Sequence, residues 1–405
     1  MSATKTTDLR TGLSLWEAHP ARGPASAPLD ADLSTEVLVV GAGVSGAMIA
    51  QALAEAGREV VVIDRRGAAR GSTMASTALL QYELDTPMTR LALIRGREAT
   101  RRIWARSKLA VDAIRERAGR LGIEADLVER PSLYLAGDVL DAGGLAKECD
   151  ERRAAGFEVE LLDRKAVKAR FGLTREAAIV GYGNLEADPR RLALAFLRDA
   201  VARGARLHAP AELADFKRTN TGVAAATRQG PKIRARHLVL ATGYEMPERV
   251  PAGAHELVST WAIATKPQPR ALWPERALIW EASDPYLYVR TTQDGRIVCG
   301  GEDEEFSDVE TRDALLAEKT RKLEKALGRL IPGCDPTADF AWCGTFGASS
   351  DGAPSIGRVP RLPGVYACLG YGGNGTTFSM MAAQMISADI LGSPDPDARL
   401  FGFTR

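Results

Sequence analysis

The chain has 405 residues, enough for two or three domains around a real core, and its 45% apolar and 26% charged content is that of an ordinary globular protein rather than a disordered, collagenous or membrane chain. With 53 basic and 52 acidic residues, the net charge of +1 supplies no field for nucleic acid, which is not expected as a partner. No apolar stretch approaches the roughly 20 residues of a bilayer span, so a soluble, non-secreted, cytoplasmic protein is expected, with five dispersed cysteines as reduced thiols. The four histidines show no ligand spacing. A metal site and a Ser/His/Asp hydrolase are therefore poor readings, and redox chemistry by an organic cofactor moves forward.

In chain order, residues 18–30 (AHPARGPASAPLD) are rich in Ala and Pro and aperiodic, and read as an extended arm. The run Glu36–Val40 (EVLVV) predicts a buried parallel strand. Gly41, Gly43 and Gly46 follow as G-x-G-x-x-G, then a helix over 47–56 ended by Gly57, then a strand over 60–63 that ends in Asp64. That is a complete βαβ unit for a dinucleotide. Gly41 permits the tight turn, Gly43 the approach of a pyrophosphate and Gly46 close packing; the helix N-terminus offers N–H groups, Val44 and Ser45 within the glycine motif are candidate cofactor contacts, and Asp64 is placed for an adenosine ribose. Arg65 and Arg66 suggest a 2′-phosphate, but the acid argues against one.

The stretch GSTMASTALLQYE gathers Ser72, Thr73, Ser76 and Thr77, small hydroxyl residues suited to lie along a phosphate or a flavin; a capped helix start, with Ser72 or Thr73 as the cap, is a compatible reading. Residues 88–119 predict long amphipathic outer helices. Strands are predicted over 132–135 and 159–162, with a charged helical stretch over 145–155 between them. Asp188 and Pro189 open a helix that Gly204 closes. Residues 235–241 form another buried strand, which runs into Thr242 and Gly243. A hairpin turning at Gln293–Gly295 places Tyr286, Tyr288 and Arg290 on one face and Leu287 and Val289 on the other. An aromatic wall with a guanidinium suits an amino-acid-like substrate; a solvent-facing sheet surface is the alternative. Residues 311–331 predict an amphipathic helix, and a strand over 365–369 runs into the glycine loop Gly370–Gly375, with a helix opening at Thr376 or Thr377. Two glycine turns at helix starts point to a long cofactor held at both ends.

Taken together, GAGVSG with Asp64, GSTMASTALLQYE, the ATG at 241–243 and the pattern WCGTF…DGAPSIG…GYGGNG resemble the D-amino-acid oxidase (DAO) family of FAD-dependent oxidoreductases, over about residues 35–395. The resemblance implies an α/β fold: a Rossmann-like FAD-binding domain made of discontinuous segments, expected over 35–110, 180–245 and 340–405, and an α+β mixed-sheet substrate domain over 111–179 and 246–339, behind an arm at 1–34. It implies an oxidase that takes a hydride from the carbon next to an amine nitrogen of a small amine or amino acid. A dehydrogenase passing electrons to a carrier is the alternative. A non-catalytic flavin protein stays open, and a nicotinamide-binding protein is disfavoured by the second glycine turn.

Carried over residue by residue, Gly41, Gly43, Gly46 and Asp64 would bind the ADP half. Ser72, Thr73, Ser76 and Thr77 would line the pyrophosphate and ribityl chain, Leu80 and Gln81 would sit by the isoalloxazine, and Gly372, Gly373, Asn374, Gly375 and Thr376 would meet its pyrimidine end. Two departures stand out. Phe346 occupies the position at which relatives carry a carboxylate-binding arginine, and Cys343 aligns with a cysteine that attaches flavin covalently in the sarcosine oxidase branch, a buried inert thiol being the other reading of it.

Overall fold

The computed structural model describes residues 8–251 and 255–405. The apolar run that begins before Glu36 forms the strand Leu33–Val40, buried on both faces and therefore central in its sheet. Val60–Ile63 pairs with it on one side and Lys232–Leu240 on the other, both in parallel, and Arg206–His208 extends the sheet beyond Val60–Ile63. Val365–Leu369 continues it beyond Lys232–Leu240, followed by the antiparallel edge strand Ser355–Arg358. A ribbon of Leu213–Thr219 and Gly222–Thr227 folds against Lys232–Leu240. Chain connections leave the central strand in both directions, so a crevice opens at its carboxyl end, where Gly41 lies; open α/β sheets bind ligands at such switch points.

The helices Val44–Glu55, Arg97–Arg120, Pro189–Ala202 and Gly375–Ile390 cover one face of this sheet and bury its main apolar cluster, which includes Ile49, Leu53, Phe196 and Met381. Asp188 caps Pro189–Ala202 by accepting from Arg191 N at 2.9 Å, as its position before Pro189 predicts. Several element bounds differ from those predicted. The first helix begins at Val44, the 88–119 region breaks at Gly96, with φ +78°, into Met88–Arg95 and Arg97–Arg120, and the 311–331 helix divides into Val309–Ala314 and Leu316–Leu330.

A second, mixed sheet runs in the order Arg10–Gly12, Ala338–Ser349, His255–Thr265, Ile297–Glu304, Leu287–Thr291, Leu278–Glu281, Val128–Leu135, Ala177–Glu186 and Leu79–Leu80, with Val159–Asp163 also on Ala177–Glu186. Its joins are antiparallel except that between Leu278–Glu281 and Val128–Leu135. The back face packs Ile263, Val289, Cys299 and Cys343 against Leu323 and Leu327 of the helix Leu316–Leu330. The opposite face looks onto the crevice of the first sheet.

Sheet membership redraws the expected boundaries. Ala177–Glu186 and Ala338–Ser349 belong to the second sheet, so divisions at 180 and 340 cut through single strands. The arm expected over 1–34 is, from residue 8 on, built into the fold: Arg10–Gly12 is an edge strand of the second sheet, and Ala27 bridges to His208 of the first. Residues 1–7 lie outside the described residues. No helix among the described residues is long and apolar enough to cross a membrane.

Candidate cofactor and substrate cleft

At the crevice the backbone does what the glycines permit. Gly41 turns with φ +110°, and a Cβ there would overlap the Ala241 carbonyl; a Cβ on Gly46 would overlap the Gly41 carbonyl oxygen, so this turn closes only with glycine at both positions. Asp64 holds the turn from outside. Its carboxylate accepts from Ala42 N at 2.8 Å, Arg66 N at 2.7 Å and Gly67 N at 2.8 Å, which leaves about one of its roughly four acceptor directions for a ligand.

From here a continuous cleft runs between the sheets. Gly41, Gly43, Val44, Ser45, Asp64, Arg65, Thr242 and Gly243 line its first part; Ser72, Thr73, Ser76, Thr77 and Gln81 its middle; and Gly372, Gly373, Asn374, Gly375, Thr376, Tyr286, Tyr288 and Phe346 its far part. Gly46 lies beneath the turn rather than on the wall, in the packing role expected of it. Arg65 and Arg66 both pair with Glu245, the second at 2.7 Å, so two guanidiniums and a carboxylate bound the Asp64 end.

The segment that carries the hydroxyls is oriented by a row of outside donors. Ser14 Oγ donates to Met74 O at 2.5 Å, Trp342 Nε1 to Ala75 O at 2.9 Å, Trp16 Nε1 to Ser76 O at 2.7 Å and Arg290 Nε to Thr77 O at 2.6 Å. Four consecutive carbonyls are thereby held away from the cleft, while Ser72, Thr73, Ser76 and Thr77 stay on its wall, which is the arrangement an anionic chain requires. The helix-cap reading of this segment gives way: Ser72–Met74 is a single 3-10 turn capped by Gly71 without a side-chain bond, and Thr73 Oγ1 instead accepts from Val44 N at 3.0 Å.

Besides Gly46, three expected site residues are elsewhere. Arg290 obeys the predicted alternation with Tyr286 and Tyr288, but one step further along the strand it lies beneath Thr77, not in the cleft. Its guanidinium is 2% exposed, donates also to Ala187 O at 2.8 Å, stands 3.8 Å from Glu186 and covers the Trp16 ring at 5.1 Å; it is committed to the protein and is not a substrate clamp. Cys343 sits on the back of the second sheet, its Sγ 3.7 Å from Thr11 O and 3.4 Å from Asp313 Oδ1, and burial pushes its thiol up to about 11. It borders no part of the cleft and offers no thiolate for a flavin. Leu80 points into the main core; its neighbours Leu79 and Gln81 line the cleft instead.

The far part of the cleft contains residues that the sequence did not single out. Trp280 pairs across the sheet with Tyr288 and stacks on Tyr134 at 3.7 Å between ring centroids; Thr260 lies one strand from Phe346; and Tyr244 directly follows the ATG tripeptide. Asp85, four residues past Gln81, accepts from Gly373 N at 2.8 Å and so ties the hydroxyl segment to the glycine loop. Tyr244, as the next residue after a recognised motif, was within reach of sequence reasoning. Trp280 and Thr260 become neighbours of the tyrosines only through strand pairing and carry no local signal. Away from the cleft, His19, Asp126 and Asp188 bring possible metal-ligand atoms within 4.8 Å of one another, but both carboxylates are already used, Asp126 by the Arg191 side chain at 3.1 Å and Asp188 in capping its helix.

Residues left without partners test what the cleft is built to hold. Ser72 Oγ and Gln81 Nε2 are buried, without a hydrogen-bond partner and on the cleft wall, where a buried polar atom is costly unless a ligand satisfies it. The two glycine turns open the helices Val44–Glu55 and Gly375–Ile390, which are fastened together by Ser45 Oγ and Ser379 Oγ at 2.8 Å, so both helix starts face one channel. A flavin dinucleotide fits these features: a diphosphate by the first turn, a ribityl chain along the hydroxyls, and a polar ring edge at Gln81 and the glycine loop.

Comparison with known proteins agrees. Over 93% of its length the chain is 27% identical to the tRNA 5-methylaminomethyl-2-thiouridine biosynthesis bifunctional protein MnmC of Ralstonia nicotianae, of which it spans 60%. It is 23% identical over 91% of its length to the gamma-glutamylputrescine oxidoreductase of Escherichia coli, covering 86% of that protein. Among solved structures, L-proline dehydrogenase from P. horikoshii superposes with a TM-score of 0.77 at 20% identity, over 92% of this chain and 98% of that one. Glycine oxidase from Geobacillus kaustophilus superposes with a TM-score of 0.76 at 21% identity, over 92% and 99%. The family model described as DAO, FAD dependent oxidoreductase, matches residues 36–388, and the chain belongs to that family, with FAD as its cofactor.

Proposed function

We propose that the chain oxidises the C–N bond of a small amine or amino acid, as an oxidase. The observation that carries this reading is the unbroken cleft, which passes from the Asp64 turn to an aromatic chamber formed by Tyr286, Tyr288, Trp280 and Phe346, so that the space beyond the ring site suits a second small molecule. The names of the relatives support it, since gamma-glutamylputrescine, glycine and L-proline are all amines or amino acids. FAD, which the Asp64 turn, the hydroxyl residues 72–77 and the glycine loop would hold, would supply a two-electron acceptor for the hydride on the carbon bearing the nitrogen; the iminium product would be hydrolysed by water to a carbonyl compound and an ammonium, with oxygen as the final electron acceptor.

The chain's own residues bind and orient. Burial holds the Tyr286 and Tyr288 phenols well above their ordinary range, so at neutral pH they stay protonated and act as walls and hydrogen-bond donors rather than bases. Tyr288 is fixed by lying flat on Gly300 of the neighbouring strand, where a Cβ would overlap its ring. The glycine loop before Gly375–Ile390 opens a helix N-terminus onto the cleft, which would favour negative charge on a bound ring edge beside it.

The test is an absorbance spectrum of the purified protein, followed by anaerobic addition of a panel of amines and amino acids. Flavin bands that bleach with one class, and return when air is admitted, are expected. Bands that bleach but stay bleached in air would assign the electrons to a carrier, and a flavin that no member of the panel bleaches would overturn the enzymatic reading. All flavin is expected to leave the protein on acid precipitation, because Cys343 lies behind the sheet.

A further inference from the structure

The floor of the aromatic chamber is a single face of five adjacent strands. Phe346, Thr260, Gly300, Tyr288 and Trp280 follow one another across the sheet, with Tyr286 two residues from Tyr288. The floor thus presents aromatic faces, the hydroxyls of Thr260, Tyr288 and Tyr286, the last already donating to Asp303, and a Trp280 Nε1 without a hydrogen-bond partner, and its charge comes from two carboxylates. Asp85 stands on the wall, fixed by Gly373 N at 2.8 Å; Asp303 stands behind Tyr286, whose Oη donates to its Oδ2 at 2.5 Å.

Cations around the cleft are engaged by the protein, among them Arg152, which lies over the Tyr134 ring and donates to Glu148, and Arg312, which donates to Thr345 and Asp313. Arg65 and Arg66 bound the opposite end of the cleft, with Glu245. Arg290 is used up by Thr77 and Ala187, and Lys319, behind the sheet, bonds Glu302 O at 2.8 Å and Glu304 Oε1 at 2.6 Å. Among the described residues, then, no guanidinium or ammonium lines this end of the cleft.

A substrate carboxylate in the chamber would meet like charge and neutral donors but no guanidinium fork to offset that charge. An ammonium would meet ring faces and a carboxylate, both attractive. The reacting nitrogen cannot be that ammonium, because the carbon beside it releases a hydride only when the nitrogen keeps its lone pair. We infer that the substrate is of diamine type: an aliphatic amine without a carboxylate beside the reacting carbon, one neutral nitrogen undergoing oxidation while a second, protonated nitrogen rests against Asp85 and the aromatic floor. This rests on the amine-oxidising reading above and narrows it.

Four probes of similar size test it on the FAD-loaded enzyme: 1,4-diaminobutane, n-butylamine, 4-aminobutanoate and alanine, each titrated anaerobically against flavin bleaching. 1,4-Diaminobutane is expected to act at a concentration about tenfold below n-butylamine, the size of one charge-assisted contact, and the two carboxylates only far above it. Asp85→Asn, which can still accept from Gly373 N, should bring the ratio between 1,4-diaminobutane and n-butylamine from about tenfold to about one, the ratio being the readout whatever the variant does to both amines alike. Asp303→Asn, one layer back, should reduce the preference by about threefold.

A binding readout needs no turnover. Butyltrimethylammonium, which has no lone pair on nitrogen, should perturb the oxidised flavin spectrum and lose about tenfold in affinity in Asp85→Asn, whereas butanoate should not perturb it. Alanine or 4-aminobutanoate acting below 1,4-diaminobutane, or a diamine preference that survives Asp85→Asn, would overturn the inference and leave the amine-oxidising reading standing. A bound flavin that none of the four probes bleaches would overturn the inference, and the wider panel of amines and amino acids then decides the amine-oxidising reading by itself.

Discussion

Asp303 is a carboxylate held where a carboxylate is costly. Burial raises its pKa to about 6, with Asp85 adding to the rise, while Thr260, Tyr286 and Lys319 work against it. A group whose folded pKa exceeds its unfolded value near 4 binds its proton more tightly in the native state, so stability falls as pH rises from about 4 through 6 and the full cost is present above that window. Two units correspond to about 3 kcal/mol. Asp303→Asn keeps an acceptor for Tyr286 and removes the ionisation, so its Tm should exceed that of the parent clearly at pH 8 and hardly at pH 4.5. Thermal unfolding at the two pH values checks this, and an equal gain at both would show that the charge is not the cause. Arg290 teaches the reverse lesson. Its alternation with Tyr286 and Tyr288 was readable in the sequence, but its depth was not, because depth depends on Thr77 and Ala187 arriving from other segments. Arg290→Ala should therefore act on folding rather than on substrate affinity: it leaves the Thr77 and Ala187 carbonyls without that donor in the interior and takes one of two cations from Glu186, which keeps Arg130 at 3.0 Å, at about 3 kcal/mol, and the loss should appear as a lowered urea midpoint. An unchanged midpoint with a raised KM would restore Arg290 to the substrate.

At the scale of elements, the strand, glycine turn, helix and strand from residue 33 to 63 were legible because every local rule there points the same way: a β-branched run, glycines where φ is positive or backbones touch, and an acid at the second strand's end. The element bounds were less so. The helix begins at Val44, inside the glycine motif, since the Gly43 carbonyl already accepts from Ala47 N at 2.9 Å, a bond that composition does not announce. The turn also yields graded mutants. At Gly46 an added Cβ collides with the backbone oxygen of Gly41, which cannot move without opening the turn, so Gly46→Ala should give protein without flavin colour. At Gly43 the same atom would stand 3.1 Å from Thr73 Oγ1, a side chain able to rotate, so Gly43→Ala should keep the fold and lose about tenfold in FAD affinity, whereas Gly43→Val should abolish binding. Flavin fluorescence on titrating the apoprotein separates the three, and Gly46→Ala protein that purifies fully yellow would contradict the close approach shown here.

The whole molecule depends on a feature that no single segment predicts: the two sheets are joined through the segment that carries the hydroxyl residues. Residues 72–77 lie on the cleft, yet the donors that orient them come from residue 14, residue 16, the Leu287–Thr291 strand and the Ala338–Ser349 strand. The discontinuity of the cofactor domain was legible from the separated glycine motifs, while this coupling was not, since it consists of long-range contacts to side chains with no motif around them. Trp16 lies at its centre. It is 1% exposed, donates to Ser76 O, lies under the Arg290 guanidinium and packs with Trp342 in a small cluster of its own. Trp16→Ala removes a buried indole, at a cost of about 3–5 kcal/mol, and frees the Ser76 carbonyl to turn toward the channel in which the FAD diphosphate and ribityl chain would lie. The expected outcome is therefore a double one: a lowered Tm, and a cofactor that dissociates below the temperature at which the chain unfolds, seen as flavin fluorescence rising ahead of the loss of helical circular dichroism. Trp16→Phe, which restores the ring but not the N–H, should recover most of the Tm and little of the cofactor retention. If both variants release flavin only as the chain unfolds, the N-terminal segment stabilises the fold without positioning the cofactor wall.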